Sequence, residues 1–123
     1  MLNVRTRNLG TVAVLCLQGQ IVTGETEILR NAVHSLSEVS AVILDFARVT
    51  TIDAGGLGVL LELREQVGSR GNRFELMNVT KQISRVLEIT RLDSVFRITD
   101  GAEFFAAVSR SGRASVATFA SCA

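Results

Sequence analysis

Ala41-Val-Ile-Leu-Asp-Phe46 is an almost wholly apolar run with a single carboxylate inside it, and it limits the fold more than any other stretch of the chain. A strand buried on both faces reads as such a run, and strands of this kind lie in the middle of parallel sheets covered by helices. Helical patterns stand on both sides of it. Residues 25–36, opened by Thr23 or Gly24, place Ile28, Leu29, Ala32, Val33 and Leu36 on one stripe. Residues 55–68 carry Leu57, Leu60, Leu61, Leu63 and Val67, with Glu62, Arg64, Glu65 and Gln66 as a polar edge, and Ser69-Arg-Gly-Asn72 suits a glycine C-terminal cap.

The remaining segments continue the alternation. Residues 2–8 alternate apolar and polar, Asn8-Leu9-Gly10 reads as a turn, and 12–17 forms a second strand antiparallel to the first. Gly19 interrupts it, leaving Gln20-Ile21-Val22 as a further short strand. After Phe46 the chain is expected to turn through 48–52. Residues 74–77 are the next strand, and Asn78 or Thr80 caps a helix over 81–90 with Ile83, Val86 and Leu87 inward. Residues 95–98 make a last edge strand, and Asp100 caps a final helix bearing Ala102, Phe105, Ala106 and Val108. From 110 to 123 the periodicity fails, which predicts a frayed tail. The pattern is that of a single α/β domain, residues 1–109, with a mostly parallel sheet of four to five strands and about four helices.

With 123 residues the chain is long enough for one core and needs neither disulfide nor metal to fold. Thirteen Lys and Arg against twelve Asp and Glu leave a net charge of +1, and no basic run stands out. Nucleic-acid binding, which needs a concentrated positive field, is therefore not expected. Cys16 and Cys122 lack any CxxC or Cys/His spacing and read as a buried thiol and a tail thiol in a reducing compartment. His34 lies off the apolar stripe and has no second histidine to share a metal. The apolar runs are too short for a membrane span and no signal-peptide pattern opens the chain. The expectation is a soluble, cytoplasmic protein with no metal, no cofactor and no direct membrane insertion. Catalysis needs convergent acid, base or nucleophile groups, and no paired-carboxylate or Cys/His motif supplies them, so no catalytic residue is assigned.

Chemical information is concentrated where the central strand meets the next helix. Asp53 stands at the N-cap position, and Gly55, Gly56 and Gly58 fill the first turn. Each glycine costs about 1 kcal/mol against alanine in a helix, so something must offset them. Either side chains would collide with a neighbouring strand or loop, or a partner's backbone or an anion must approach the helix end. The glycine order fits neither a P-loop nor a dinucleotide fingerprint.

Asp53-Ala-Gly-Gly-Leu-Gly58, preceded by Leu44-Asp45 and Val49-Thr-Thr-Ile52, resembles the Asp-Ser-Ser-Gly-Leu-Gly signature of STAS domains of the bacterial anti-sigma factor antagonist type. The likeness extends over nearly the whole chain, through Leu17-Gln-Gly-Gln20, Phe74-Glu-Leu-Met77 and 87–95. It implies a mixed sheet with helices mainly on one side. It also implies a protein that binds an anti-sigma factor, itself a serine kinase, and is switched off by phosphorylation of the first serine after the aspartate. That position is Ala54, the second serine is replaced by Gly55, and the family's frequent aspartate in the loop before the first helix is matched by Val22. The usual phosphoacceptor is therefore absent, and Thr50 and Thr51 are expected to play structural roles.

The resemblance assigns partner binding to Val22, Thr23, Ile52, Asp53, Ala54, Gly55, Gly56, Leu57 and Gly58, within a surface formed by the 20–25 loop, the helix start and residues 91–94. A regulator without that serine would be competent to bind at all times. The alternative is an accessory STAS subunit of a membrane complex of the lipid-transport ATPase type, which Gly55-Gly56 resembles somewhat more. Oligomeric state is left open, a homodimer included.

Overall fold

A computed structural model describes residues 1–101. Its elements run β1 (Asn3–Leu9), β2 (Val12–Ile21), α1 (Glu27–His34), β3 (Ala41–Ile52), α2 (Ala54–Ser69), β4 (Arg73–Met77), α3 (Lys81–Ile89) and β5 (Arg97–Thr99). One five-stranded sheet has the order β1-β2-β3-β4-β5. Only β1 and β2 pair antiparallel; β2–β3, β3–β4 and β4–β5 are parallel, each joined by a helix.

Strand alternation explains the apolar runs. On one face Ala13, Leu15 and Leu17 of β2, Val42, Leu44 and Phe46 of β3, and Phe74 and Leu76 of β4 enter the main core. Each of α1, α2 and α3 contributes to that core, through Leu29 and Val33, through Leu57, Leu60, Leu63 and Val67, and through Ile83 and Leu87. The opposite face carries a second buried cluster of Val14, Cys16, Ile43 and Met77. Both faces are buried over 13–17 of β2 and 41–46 of β3, so neither stretch has a polar side to show, whereas Gln18, Gln20, Arg48, Thr50 and Thr51 in the later parts of the two strands are exposed. Cys16, expected as a thiol, is disulfide-bonded; Cys122 lies outside the described residues, as do the helix expected after Asp100 beyond Gly101 and the expected tail.

Two expectations are corrected. Residues 48–52 do not turn but complete a twelve-residue β3, and 20–21 are not a separate strand but the end of a ten-residue β2. Each extension holds the other: Gln18 pairs with Arg48, Gly19 with Val49, Gln20 with Thr51 and Ile21 with Ile52, across register shifts at Cys16/Gln18 and Gly19/Gln20. Gly19, at a φ of 113°, supplies the backbone conformation that such an irregularity needs.

The caps fall largely where the sequence places them. Thr80 Oγ1 accepts from the Ile83 amide at 3.4 Å to open α3. Beyond α2, Gly71 at φ 76° donates to Gly68 O at 2.9 Å and Asn72 donates to Val67 O at 3.2 Å.

Candidate functional site

Parallel connectivity sorts the turns into two groups. Each strand of β2, β3 and β4 leads into a helix at its C-terminal end, and each helix returns to the far end of the next strand. The 22–26 loop, Asp53 and 78–80 therefore share one edge of the sheet. Residues 35–40, 70–72 and 90–96 share the other.

At the first edge Asp53 joins two elements. Its backbone is extended, with φ −111° and ψ −176°, as an N-cap requires, and its Oδ1 accepts from the Gly56 amide at 2.9 Å. The same carboxylate accepts from the Thr23 amide through both oxygens, at 3.1 and 3.0 Å. The Asp53 amide in turn donates to Ile21 O at 3.3 Å. These bonds tie the end of β2 and the start of the 22–26 loop to the first turn of α2. Donation by the Thr23 amide first, and by the Gly56 amide second, holds the Asp53 carboxyl below its usual range, against a smaller opposing effect of desolvation.

The glycines divide into two kinds. A Cβ on Gly56 would overlap Ile21 O and come within 2.9 Å of Ile52 Cγ1. A Cβ on Gly55 would overlap Thr23 Oγ1 and lie 3.1 Å from Thr23 Cβ. Both are explained by the close passage of the β2–α1 loop over the helix start. Gly58 has nothing within 4 Å of a Cβ, so packing within the described chain gives no reason for a glycine there.

Thr23, Ala54 and Gly58 are exposed, and Val22, Asp53 and Gly55 are partly exposed. Ile52, at 7% exposure, and Leu57, at 8%, are core residues, and Gly56 is buried; these three support the corner from beneath. Arg91, Asp93 and Ser94 are exposed, yet the α3–β5 turn that holds them is at the opposite edge, so the surface expected to include 91–94 does not extend to them as one patch. Thr50 donates its hydroxyl to Gly19 O at 3.2 Å across the extended β2–β3 pair, a structural role.

Three further contacts are not announced by the sequence. The Thr23–Asp53 clamp spans 30 residues and leaves no local pattern. Arg30 joins α1 to α2 by donating to Glu62 at 2.9 Å, while also pairing with Glu27 at 2.9 Å. His34 Nε2 lies 2.7 Å from Gln66 Oε1, a second tie between these helices. Among the described residues no cluster of His, Cys, Asp and Glu could hold a metal, and no helix is long and apolar enough to cross a membrane.

The STAS domain family matches residues 3–109 of the chain. The chain belongs to the STAS domain family. This STAS domain is 36% identical over 59 residues to a Thermotoga neapolitana homologue of TM1081, a protein provisionally named an anti-sigma factor antagonist. The match covers 48% of this chain and 52% of that one, so the chain spans about half the length of this curated relative. The fold is that of the anti-sigma factor antagonist SpoIIAA in its unphosphorylated form, with a TM-score of 0.71 at 19% identity, covering 92% of this STAS domain and all (100%) of SpoIIAA. The phosphorylated form of the Bacillus SpoIIAA gives 0.63 at 19% identity, covering 80% and 90% of the two chains. At such identities the likeness to the solved structures is one of fold.

Proposed function

We propose that this STAS domain is a non-enzymatic regulator of the anti-sigma factor antagonist type, acting in the cytoplasm. It binds an anti-sigma factor of the serine-kinase kind through the edge formed by Thr23, Ala54 and Gly58. The observation that carries the reading is Gly58. An exposed glycine inside a helix costs about 1 kcal/mol, and no neighbour in the described chain requires it, so it fits a surface that a partner's backbone approaches closely. Ala54 lies one turn before it, also exposed, and offers no hydroxyl, so the switch at the position usual for the family is missing. The relative named for anti-sigma factor antagonism and the SpoIIAA-like fold support the same reading.

The alternative, a subunit of a membrane complex, rests on Gly55-Gly56. Since Thr23 and Ile21 account for both glycines, the pair no longer favours that alternative.

Replacing Ala54 tests the surface. Ala54→Asp adds a second carboxylate beside Asp53 at an exposed position, so the fold should persist while a partner must desolvate an extra charge. Titration of the wild-type and A54D chains with the anti-sigma partner should show affinity weakened about tenfold or more. Equal affinities with an unchanged melting temperature would remove Ala54 from the interface.

A further inference from the structure

We infer that the sheet face turned away from the helices is a docking surface for this chain's own residues 102–123, latched there by a disulfide between Cys16 and Cys122 and opened by its reduction. The latch does not depend on partner binding at the Asp53 edge.

Cys16 is disulfide-bonded, and the chain holds one other cysteine, Cys122. In register, Arg5, Cys16, Asp45, Met77 and Thr99 form one row across the five strands and share a face. On that face Cys16 clusters with Val14, Ile43 and Met77, none of them more than 6% exposed. Among the described residues only strand side chains belong to this cluster, because α1, α2 and α3 turn their buried apolar residues to the main core on the other face. Burial this deep in the middle of a sheet takes a second layer. Residues 102–123 are the part of the chain left to supply it.

The described chain leaves the sheet at the same row. β5 ends at Thr99, and two residues later the Gly101 amide donates to Asn78 Oδ1 at 2.7 Å. Asn78 Nδ2 in turn donates to Asp45 Oδ1 at 3.4 Å, and Asp45 stands beside Cys16 in the register. Neighbouring strands lie about 4.8 Å apart, so the way from β5 back to β2 is about 14 Å. A helix crosses that in about ten residues, and about 20 separate Gly101 from Cys122. Phe104, Phe105, Val108, Val116 and Phe119 bring apolar side chains, and no charged residue occurs from 114 to 123. The stretch that carries Cys122 therefore suits a dry apolar surface.

Disulfides in a reducing compartment are transient and redox-controlled, which makes this one a latch and not a permanent staple. In the opening step a thiolate of a dithiol reductant attacks one sulfur of the bridge, the sulfur–sulfur bond breaks, and one cysteine leaves as a thiolate. The reductant's second thiolate then displaces the other cysteine as the reductant's own disulfide closes. Two electrons pass to Cys16 and Cys122, and the two protons given up by the dithiol end on their sulfurs. Residues 102–123 are then free to leave, and Val14, Ile43 and Met77 meet solvent.

The test compares the whole chain, purified under oxidising conditions, before and after dithiothreitol, with Cys122→Ser alongside. Peptide mapping without reduction should find Cys16 joined to Cys122 within a monomer. Trypsin cleavage after Arg110 and Arg113, which follows the population of the open form, should be about tenfold or more faster in reduced wild type and in Cys122→Ser than in oxidised wild type. Fluorescence of a dye that binds apolar surface should rise in parallel, and Cys122→Ser should not respond to dithiothreitol. Two free thiols in the oxidised preparation would overturn the latch, and a cross-linked dimer on a non-reducing gel would give the face to a second copy and overturn it as well. Cleavage equally fast in all three samples would refute the docking; cleavage equally slow in all three would refute its control by reduction.

Discussion

At the scale of single residues, Asp53 does the work of a cap and of a fastener at once. Its carboxylate is bound more favourably in the folded chain than in the unfolded one, because the Thr23 and Gly56 amides donate to it. A carboxyl whose folded pKa is depressed contributes stability above its ordinary value and loses it as pH falls through the folded value. The melting temperature of wild type should therefore exceed that of Asp53→Asn at neutral pH, and the gap should close on acidification through and below the usual carboxylate range. A gap independent of pH would contradict this. The glycines give a second, opposed pair of outcomes. Gly56→Ala drives a Cβ into Ile21 O, a backbone atom held by the Asp53 amide, and should destabilise by about 1–3 kcal/mol. Gly58→Ala meets open space and should stabilise the fold by up to about 1 kcal/mol while weakening partner binding. Thermal unfolding and titration of the two variants check both signs.

At the scale of elements, α2 is anchored by Leu60 and Leu63, both at 0% exposure, beneath the edge that it presents. Truncating Leu60 to alanine should cost about 2–5 kcal/mol by lost transfer and a residual cavity, measured by denaturant unfolding. The elements were legible in the sequence where their signal is local. The apolar stripes of α1, apart from Ile28, which is 44% exposed, and of α3, the unbroken run of β3, the N-caps Asp53 and Thr80, and the turn at Gly71 all follow from spacing and turn chemistry. What was not legible is non-local. Val49-Thr-Thr-Ile52 reads as a strand only once 18–21 is seen to pair with it, and that pairing passes through two register shifts. The reasons for Gly55 and Gly56 lie more than 30 positions upstream, in Thr23 and Ile21. The resemblance places the turn at 91–94 in the site, and parallel crossovers carry it to the other edge.

At the scale of the whole molecule, the sheet has two ends with different tasks. One gathers the Asp53 clamp, the exposed Thr23, Ala54 and Gly58, and a cavity beside Arg30. The other gathers returning turns, including a cleft of about 400 Å³ between Arg64, Arg73 and Arg97 where Arg64 donates to Val95 O and Arg73 pairs with Glu75. A protein-binding role for the first end requires that a partner's footprint fall there and leave the second untouched. Amide hydrogen exchange of the chain with and without its anti-sigma partner measures this directly. The account predicts slowed exchange at Thr23, Gly24 and the Ala54–Gly58 turn, with no change at 70–72 and 92–96; protection confined to the latter two turns would contradict it.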